Sequence, residues 1–195
     1  MTAILSFSRF IAAILLFNPI IMAAGTEHQK YNVVKKYDHF EIRFYPPATL
    51  ATYYSPASSY RDIAGSGFRV LAGYIFGGNE SDTKISMTAP VHMDLNNDRS
   101  SMSFVMPSGY NPSNLPKPND KRVVIEETEG EYYAVVSFPG YASDKAIQKH
   151  TERLRKLLKD NNIEYYGNFR YLGYNPPYQF INRRNEVMVA VKWGS

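Results

Sequence analysis

The feature that most constrains this chain is an order of elements that occurs twice. Phe40-Glu41-Ile42-Arg43-Phe44-Tyr45 alternates apolar and polar residues, the pattern of a half-buried strand. Pro46-Pro47 breaks it, and residues 49–54 resume with β-forming side chains. Ser58 or Ser59 then caps a helix that runs to about Phe76 and stops at Gly77-Gly78. Strands near residues 84–95 and 101–106 complete the set. Residues 108–120, with three prolines and a glycine, read as a loop or linker. The order then returns. Strands at 123–127 and 132–138 flank the Glu129-Gly130 turn, a helix runs from Ser143-Asp144 to about Asn161-Asn162, and strands follow near 169–174 and 187–193. Residue identity between the halves is poor, so the repeat lies in the order of elements. It predicts one α+β domain over residues 26–195, with repeats at about 37–107 and 121–193. The expected architecture is a pseudo-symmetric, two-repeat twisted β-sheet or β-barrel flanked by two α-helices.

Residues 1–25 stand apart from this pattern. Arg9 is the only charge before Glu27, and it precedes the apolar run Phe10-Ile11-Ala12-Ala13-Ile14-Leu15-Leu16-Phe17. A weakly basic start, a short apolar stretch and small residues at Ala23-Ala24-Gly25 read as a secretory signal peptide. The run falls short of the roughly 20 residues a spanning helix needs, and Pro19 would break it. The mature chain is therefore expected to be secreted or periplasmic, with membrane contact only if this segment is uncleaved. Its removal takes away one arginine and no acid, which leaves a charge of +3. So small an excess does not call for nucleic acid, and export removes intracellular DNA and RNA as partners.

Zero cysteine among 195 residues excludes a disulfide scaffold, a thiolate metal site and a cysteine nucleophile. No Gly-x-Ser-x-Gly elbow, Gly-Lys-Ser/Thr loop or His-Glu-x-x-His pair occurs. His28, His39, His92 and His150 are scattered without metal-ligand spacing, so no metal site is assigned. Glu126 and Glu127 point to opposite faces of a strand and cannot share acid–base work. With no nucleophile and base to name, the chain reads as a non-enzyme.

The two helices are built differently. In the second, Ile147, His150, Leu154, Leu157 and Leu158 form one apolar stripe opposite a face rich in lysine and arginine. There His150 is expected as a hydrogen-bonded or boundary residue rather than a ligand. In the first, Tyr60, Ile63, Gly67, Val70, Leu71 and Tyr74 share the face that packs on the sheet, with Gly67 allowing close approach. The opposite face carries Arg61, Gly65, Phe68, Arg69, Ala72 and Phe76, and Asp62 is the one other charged residue between Ser58 and Gly78. A helix so apolar on both sides is expected to be covered on both sides. Gly65, Gly67 and Gly73 would each cost about 1 kcal/mol relative to alanine, which something must offset. The outer face is therefore covered either by a loop such as 108–120 or by a flat apolar ligand or partner surface. Arg61 and Arg69, about 12 Å apart along the helix, are placed to pair with carboxylates at a ligand's edge.

Several stretches in order resemble the SOUL haem-binding protein family: Phe40–Thr49 (FEIRFYPPAT), Tyr74–Asn79 (YIFGGN) and Lys84–Val91 (KISMTAPV), then Phe138–Tyr141 (FPGY), Gly173–Pro177 (GYNPP) and Arg183–Val187 (RRNEV). The resemblance spans nearly all of residues 37–193. Read structurally, Ala89-Pro90 fits a strand irregularity, and residues 182–185 fit a hairpin turn with exposed arginines. The resemblance implies a twisted β-barrel of two repeats and tetrapyrrole binding in a cleft along the first helix. Haem or free porphyrin would be the cofactor, with Arg61, Gly65, Phe68, Arg69, Ala72, Phe76 and, at the rim, Gln179 as binding residues. Some members of the family have histidine directly after Glu-Ile-Arg; Phe44 stands there in this chain, which implies binding without a strong axial protein ligand. The function so implied is an exported carrier or buffer for tetrapyrrole. The alternative is a protein-interaction module on the same fold, using the first-helix face, that has lost the tetrapyrrole.

Overall fold

Ile42 and Arg43 are chain neighbours, both almost fully buried, on opposite faces of one strand. That double burial is the key to the architecture, shown by a computed structural model that describes residues 26–56, 59–95 and 99–194. The expected signal segment, residues 1–25, and Ser58 lie outside the described residues. The elements are β1 (Glu27–His28), β2 (Asn32–Lys36), β3 (Glu41–Tyr45), β4 (Ala48–Ser55), α1 (Tyr60–Ile75), β5 (Thr88–Ala89), β6 (Val91–Asp94) and β7 (Ser100–Val105). The second half supplies β8 (Val123–Thr128), β9 (Glu131–Phe138), α2 (Asp144–Asp160), β10 (Tyr165–Gly173) and β11 (Asn185–Val191). The expected alternation and helix limits are therefore met. The predicted strand at 84–95 is split into β5 and β6 by the cis Ala89–Pro90 bond, the irregularity expected there. No helix among the described residues is long and apolar enough to cross a membrane.

Nine strands form one antiparallel sheet in the order β2-β3-β9-β11-β10-β6-β7-β4-β8, while β1 pairs with β5 in parallel. The order is pseudo-symmetric about the antiparallel β10–β6 pair. In each half, the strand before the helix pairs with the half's last strand, which pairs with the strand after the helix. The leading strands are exchanged, since β3 pairs with β9 and β8 pairs with β4. The sheet is open, and closure into a barrel is not found. Closing it would require β2 to meet β8, but β2 is exposed along its whole length and ends in Lys35 and Lys36. A short charged strand blunts an edge rather than pairing it.

Both helices pack on one face of the sheet, α1 over β4 and β7 and α2 over β9 and β11. On β11, Val187, Val189 and Val191 join that core while Met188 and Ala190 join a smaller apolar cluster with Tyr45, Tyr133 and Leu172. Period-two alternation thus serves two apolar layers, which explains why all seven β11 residues are buried. Asn79, in the sequon-like Asn79-Glu80-Ser81, is 1% exposed, and its amide donates to the Tyr74 and Thr83 carbonyls at 3.1 and 2.8 Å. It is a structural brace for the turn after α1.

Candidate functional site on the outer face of the first helix

Helix α1 begins where Ser59 Oγ accepts from the Asp62 amide at 3.1 Å and donates to the Asp62 carboxylate at 2.6 Å. The Tyr60 amide donates to Asp144 Oδ1 at 2.6 Å, tying the start of α1 to the start of α2. Ile63, Gly67, Val70, Leu71, Tyr74 and Ile75 are buried. Gly67 is the point of closest approach: a Cβ there would lie 3.2 Å from Met102 and Tyr53 atoms. After the helix, Gly78 donates to the Gly73 carbonyl at 2.8 Å, and a Cβ on Gly78 would lie 2.6 Å from that oxygen, so a larger residue has no room.

The outward side is open among the described residues. Arg61, Gly65 and Arg69 are exposed, Phe68 is 42% and Phe76 62% exposed, and Ala72 is half-buried. A Cβ on Gly65 or Gly73 would meet nothing within 4 Å. Residues 108–120 do not cover this side, contrary to one of the two expectations. They pack at the C-terminal end of α1, where Pro116 accepts from the Tyr74 hydroxyl at 2.9 Å, Lys117 from the Glu80 amide at 3.0 Å, and Asn119 donates to Gly78 at 3.1 Å. Phe68 leans toward the sheet, its ring edge-on to Phe104 at 5.4 Å. Neither Arg61 nor Arg69 enters an ion pair among the described residues. Six of the seven expected site residues therefore share one accessible surface. The seventh, Gln179, lies on the loop between β10 and β11, and its side-chain hydrogen bond, to the Ile181 carbonyl at 3.1 Å, stays within that loop.

None of the four histidines stands on α1. His28 stacks on Tyr174 and His39 is exposed between β2 and β3. His150 lies flat on Phe138 with ring centres 4.1 Å apart, the boundary position expected, and burial, then Arg153 and Lys149, lower its pKa. His92 is buried with Nε2 2.8 Å from Gln29 Oε1, and burial, with Arg170 adding, pushes its pKa down to about 3. Among the described residues no cluster of three or more His, Asp or Glu side chains could hold a metal ion. The position after Glu41-Ile42-Arg43 is held by Phe44, packed against Tyr132 at 5.1 Å.

The Arg-Arg-Asn-Glu-Val stretch does something the sequence did not disclose. Glu186 is 0% exposed, on the sheet face away from the helices, and accepts from Arg43 at 2.9 and 3.1 Å, Arg184 at 2.8 Å, Ser137 at 2.9 Å and Tyr174 at 2.8 Å. Burial alone would raise its pKa; the bonds and charge of Arg43, then of Arg184, outweigh burial and lower it. The arginines expected to be exposed are instead half-buried, and Asn185 is buried on β11. Arg183 folds back onto its own loop, donating to the Pro176 and Gln179 carbonyls, and Arg184 reaches Glu186 and Tyr31, partners that no local turn pattern encodes. A cavity of about 640 Å³ lies between the β8–β9 turn and the ends of β10 and β11, where Glu131 accepts from the Tyr133 and Tyr166 hydroxyls. No α1 residue lines it.

The model of the SOUL heme-binding protein family matches residues 26–190. The chain belongs to the SOUL haem-binding protein family. It is 31% identical over 160 residues to heme-binding protein 2 of Mus musculus and 32% identical over 160 residues to that of Homo sapiens, in both cases covering 78% of each chain. Heme-binding protein 1 of Mus musculus is 35% identical over 125 residues, 60% of this chain and 65% of the relative. Among solved structures, the EcmrR C-terminal domain superposes with a TM-score of 0.63 at 8% identity, over 83% of this chain and 98% of that one. A hydrolase from Listeria innocua superposes with a TM-score of 0.53 at 8% identity, over 82% and 94%. At such identity these likenesses establish the fold alone. Among the described residues, this SOUL family chain has an open outer face on its first helix and no histidine upon it.

Proposed function

We propose that this protein is an exported, non-enzymatic carrier or buffer for haem or free porphyrin, held along the outer face of α1 and delivered outside the cytoplasm. The observation that carries the reading is the uncovered apolar side of α1 in a chain of the SOUL family. Phe68, Ala72 and Phe76 offer apolar surface to a macrocycle, and burying it removes that area from water on both partners. Gly65 and Gly73, open to at least 4 Å, let a flat ring approach the helix backbone. Arg61 and Arg69 stand on the same side as charge-assisted donors for two carboxylates. Gln179 would add a polar contact at the rim. Bound haem would bring a redox-active iron, and on this face it would carry no histidine from α1. The residues present therefore fit a porphyrin held by stacking and propionate pairing.

The test is haem titration of the chain from Thr26 to Ser195, followed by absorption. A Soret-band shift is expected, and Arg61→Ala/Arg69→Ala should weaken binding about tenfold or more. Unchanged affinity in the double variant would remove the site. Absence of any optical change would remove the tetrapyrrole and leave Phe68 and Phe76 as a protein-docking surface.

A further inference from the structure

The loop between β10 and β11 has its backbone tied by hydrogen bonds while it displays large apolar side chains to water. Tyr178 and Phe180 are 77% exposed and Ile181 is 75% exposed. They are not loose. Arg183 turns inward beneath them, Nη1 donating to the Pro176 and Gln179 carbonyls at 2.8 and 2.7 Å, with its guanidinium over the Tyr141 ring at 4.5 Å. The Arg184 amide donates to Asn175 Oδ1 at 2.6 Å, and Pro176-Pro177 stiffen the ascending side. Such a tip loses little conformational entropy when something covers it.

Two other features converge on the base of this loop. Tyr141, itself 54% exposed, stands three residues before α2. The outward face of α2 carries exposed Lys145, Lys149 and Arg153, none in an ion pair among the described residues, whereas Arg155 and Lys156 are paired with Glu152 and Asp160. On the other side, His28 stacks on Tyr174 at 5.9 Å, two residues after the described chain begins. Through the Arg183–Tyr141 contact, an apolar wedge thus stands beside the start of α2 and its exposed lysines.

We propose that residues 176–181 insert Tyr178, Phe180 and Ile181 into the surface of an anionic phospholipid bilayer, with Lys145 and Lys149 against the headgroups. Aromatic and aliphatic side chains at a rigid tip suit the interfacial region, and lysines nearby suit its negative potential. This contact does not require the N-terminal segment to remain attached; because Gln179, set at the porphyrin rim under the proposed function, lies in the same loop, vesicle binding is measured without haem.

The chain starting at Thr26 contains every described element, so it can be used directly. It is sedimented with phosphatidylcholine vesicles and with mixed phosphatidylglycerol–phosphatidylcholine vesicles. Binding to the anionic vesicles, weakened by salt, is expected. Tyr178→Ser/Phe180→Ser/Ile181→Ser should lower partitioning about tenfold or more, and Lys145→Glu/Lys149→Glu should abolish the preference for phosphatidylglycerol, both with the parent's thermal midpoint. No binding to anionic vesicles, or equal binding by the triple variant, overturns the proposal. A triple variant that loses the Soret shift while keeping vesicle binding also overturns it and assigns the loop to the porphyrin face.

Discussion

A carboxylate with no exposure survives at Glu186 because each of its oxygens is claimed by at least one cation or hydroxyl, with Arg43 gripping both. A buried pair of this kind adds little net stability, but stripping one partner leaves an uncompensated charge. His92, on the same sheet, is the opposite case: it stays in the interior by remaining neutral, its Nδ1 having no hydrogen-bond partner among the described residues. Its pKa of about 3 lies below the ordinary value of about 6.5. Above pH 6.5 the ring is neutral in both folded and unfolded chains and the folded state loses nothing. Below it the unfolded chain takes up a proton that the folded chain refuses, so stability drops continuously down to about pH 3. The urea midpoint should therefore fall between about pH 7 and pH 5, before most carboxylates titrate. His92→Gln should reduce that fall, and the remainder belongs to His150, whose pKa burial also lowers. An equally steep fall in the variant would place the titrating group elsewhere.

At the scale of elements, faces were legible and neighbours were not. The 3.6-residue period marked the inner residues of α1 and the stripe of α2, and the structure buries them except Tyr60, His150 and Leu157, which are half-buried. Strand β2 gave no signal because all five of its residues are exposed, so no alternation marks it. What covers the outside of α1 depended on the path of residues 108–120, which no local pattern encodes. The apolar tip at Tyr178, Phe180 and Ile181 was visible only as large apolar residues after Pro-Pro, where turn chemistry otherwise favours small and polar ones. The glycines of α1 separate these influences by experiment. Gly65 and Gly73 face open space, so Gly65→Ala and Gly73→Ala should each stabilise the protein by about 1 kcal/mol in thermal or urea denaturation. Gly67→Ala should give no such gain, since its methyl would press on Met102 and Tyr53 at 3.2 Å. A gain at Gly67 matching the other two would mean that α1 does not sit so close to the sheet. If porphyrin lies flat on α1, the two stabilised variants should also bind it more weakly.

At the scale of the molecule, the doubled element order foretold two equivalent halves, and the sheet shows that they are equivalent without being separate. Hydrophobic alternation says which face of a strand is buried, but says nothing about which strand lies beside it. That is why the exchange of leading strands was not readable. Because β3 completes the second half and β8 completes the first, the second half alone leaves β8 without a partner, and the first half alone leaves β3 paired only with β2 and cut off from β4, β6 and β7. Residues 108–120 belong with the first half, since Leu115 enters the core and three of their backbone groups bond to α1 and the turn after it. Cutting between Asp120 and Lys121 should therefore yield fragments 26–120 and 121–195 that remain unfolded singly. Mixed in equal amounts, they should regain the β-rich circular dichroism and the single cooperative transition of the intact chain, at a midpoint that rises with fragment concentration. Loop closure by residues 108–120 contributes entropy but no strand pairing, so it sets the concentration needed rather than whether the sheet forms. A first fragment that unfolds cooperatively by itself would show that β4, β6 and β7 with α1 suffice without β8. The pseudo-twofold order would then reflect two adjoining domains rather than one interleaved sheet.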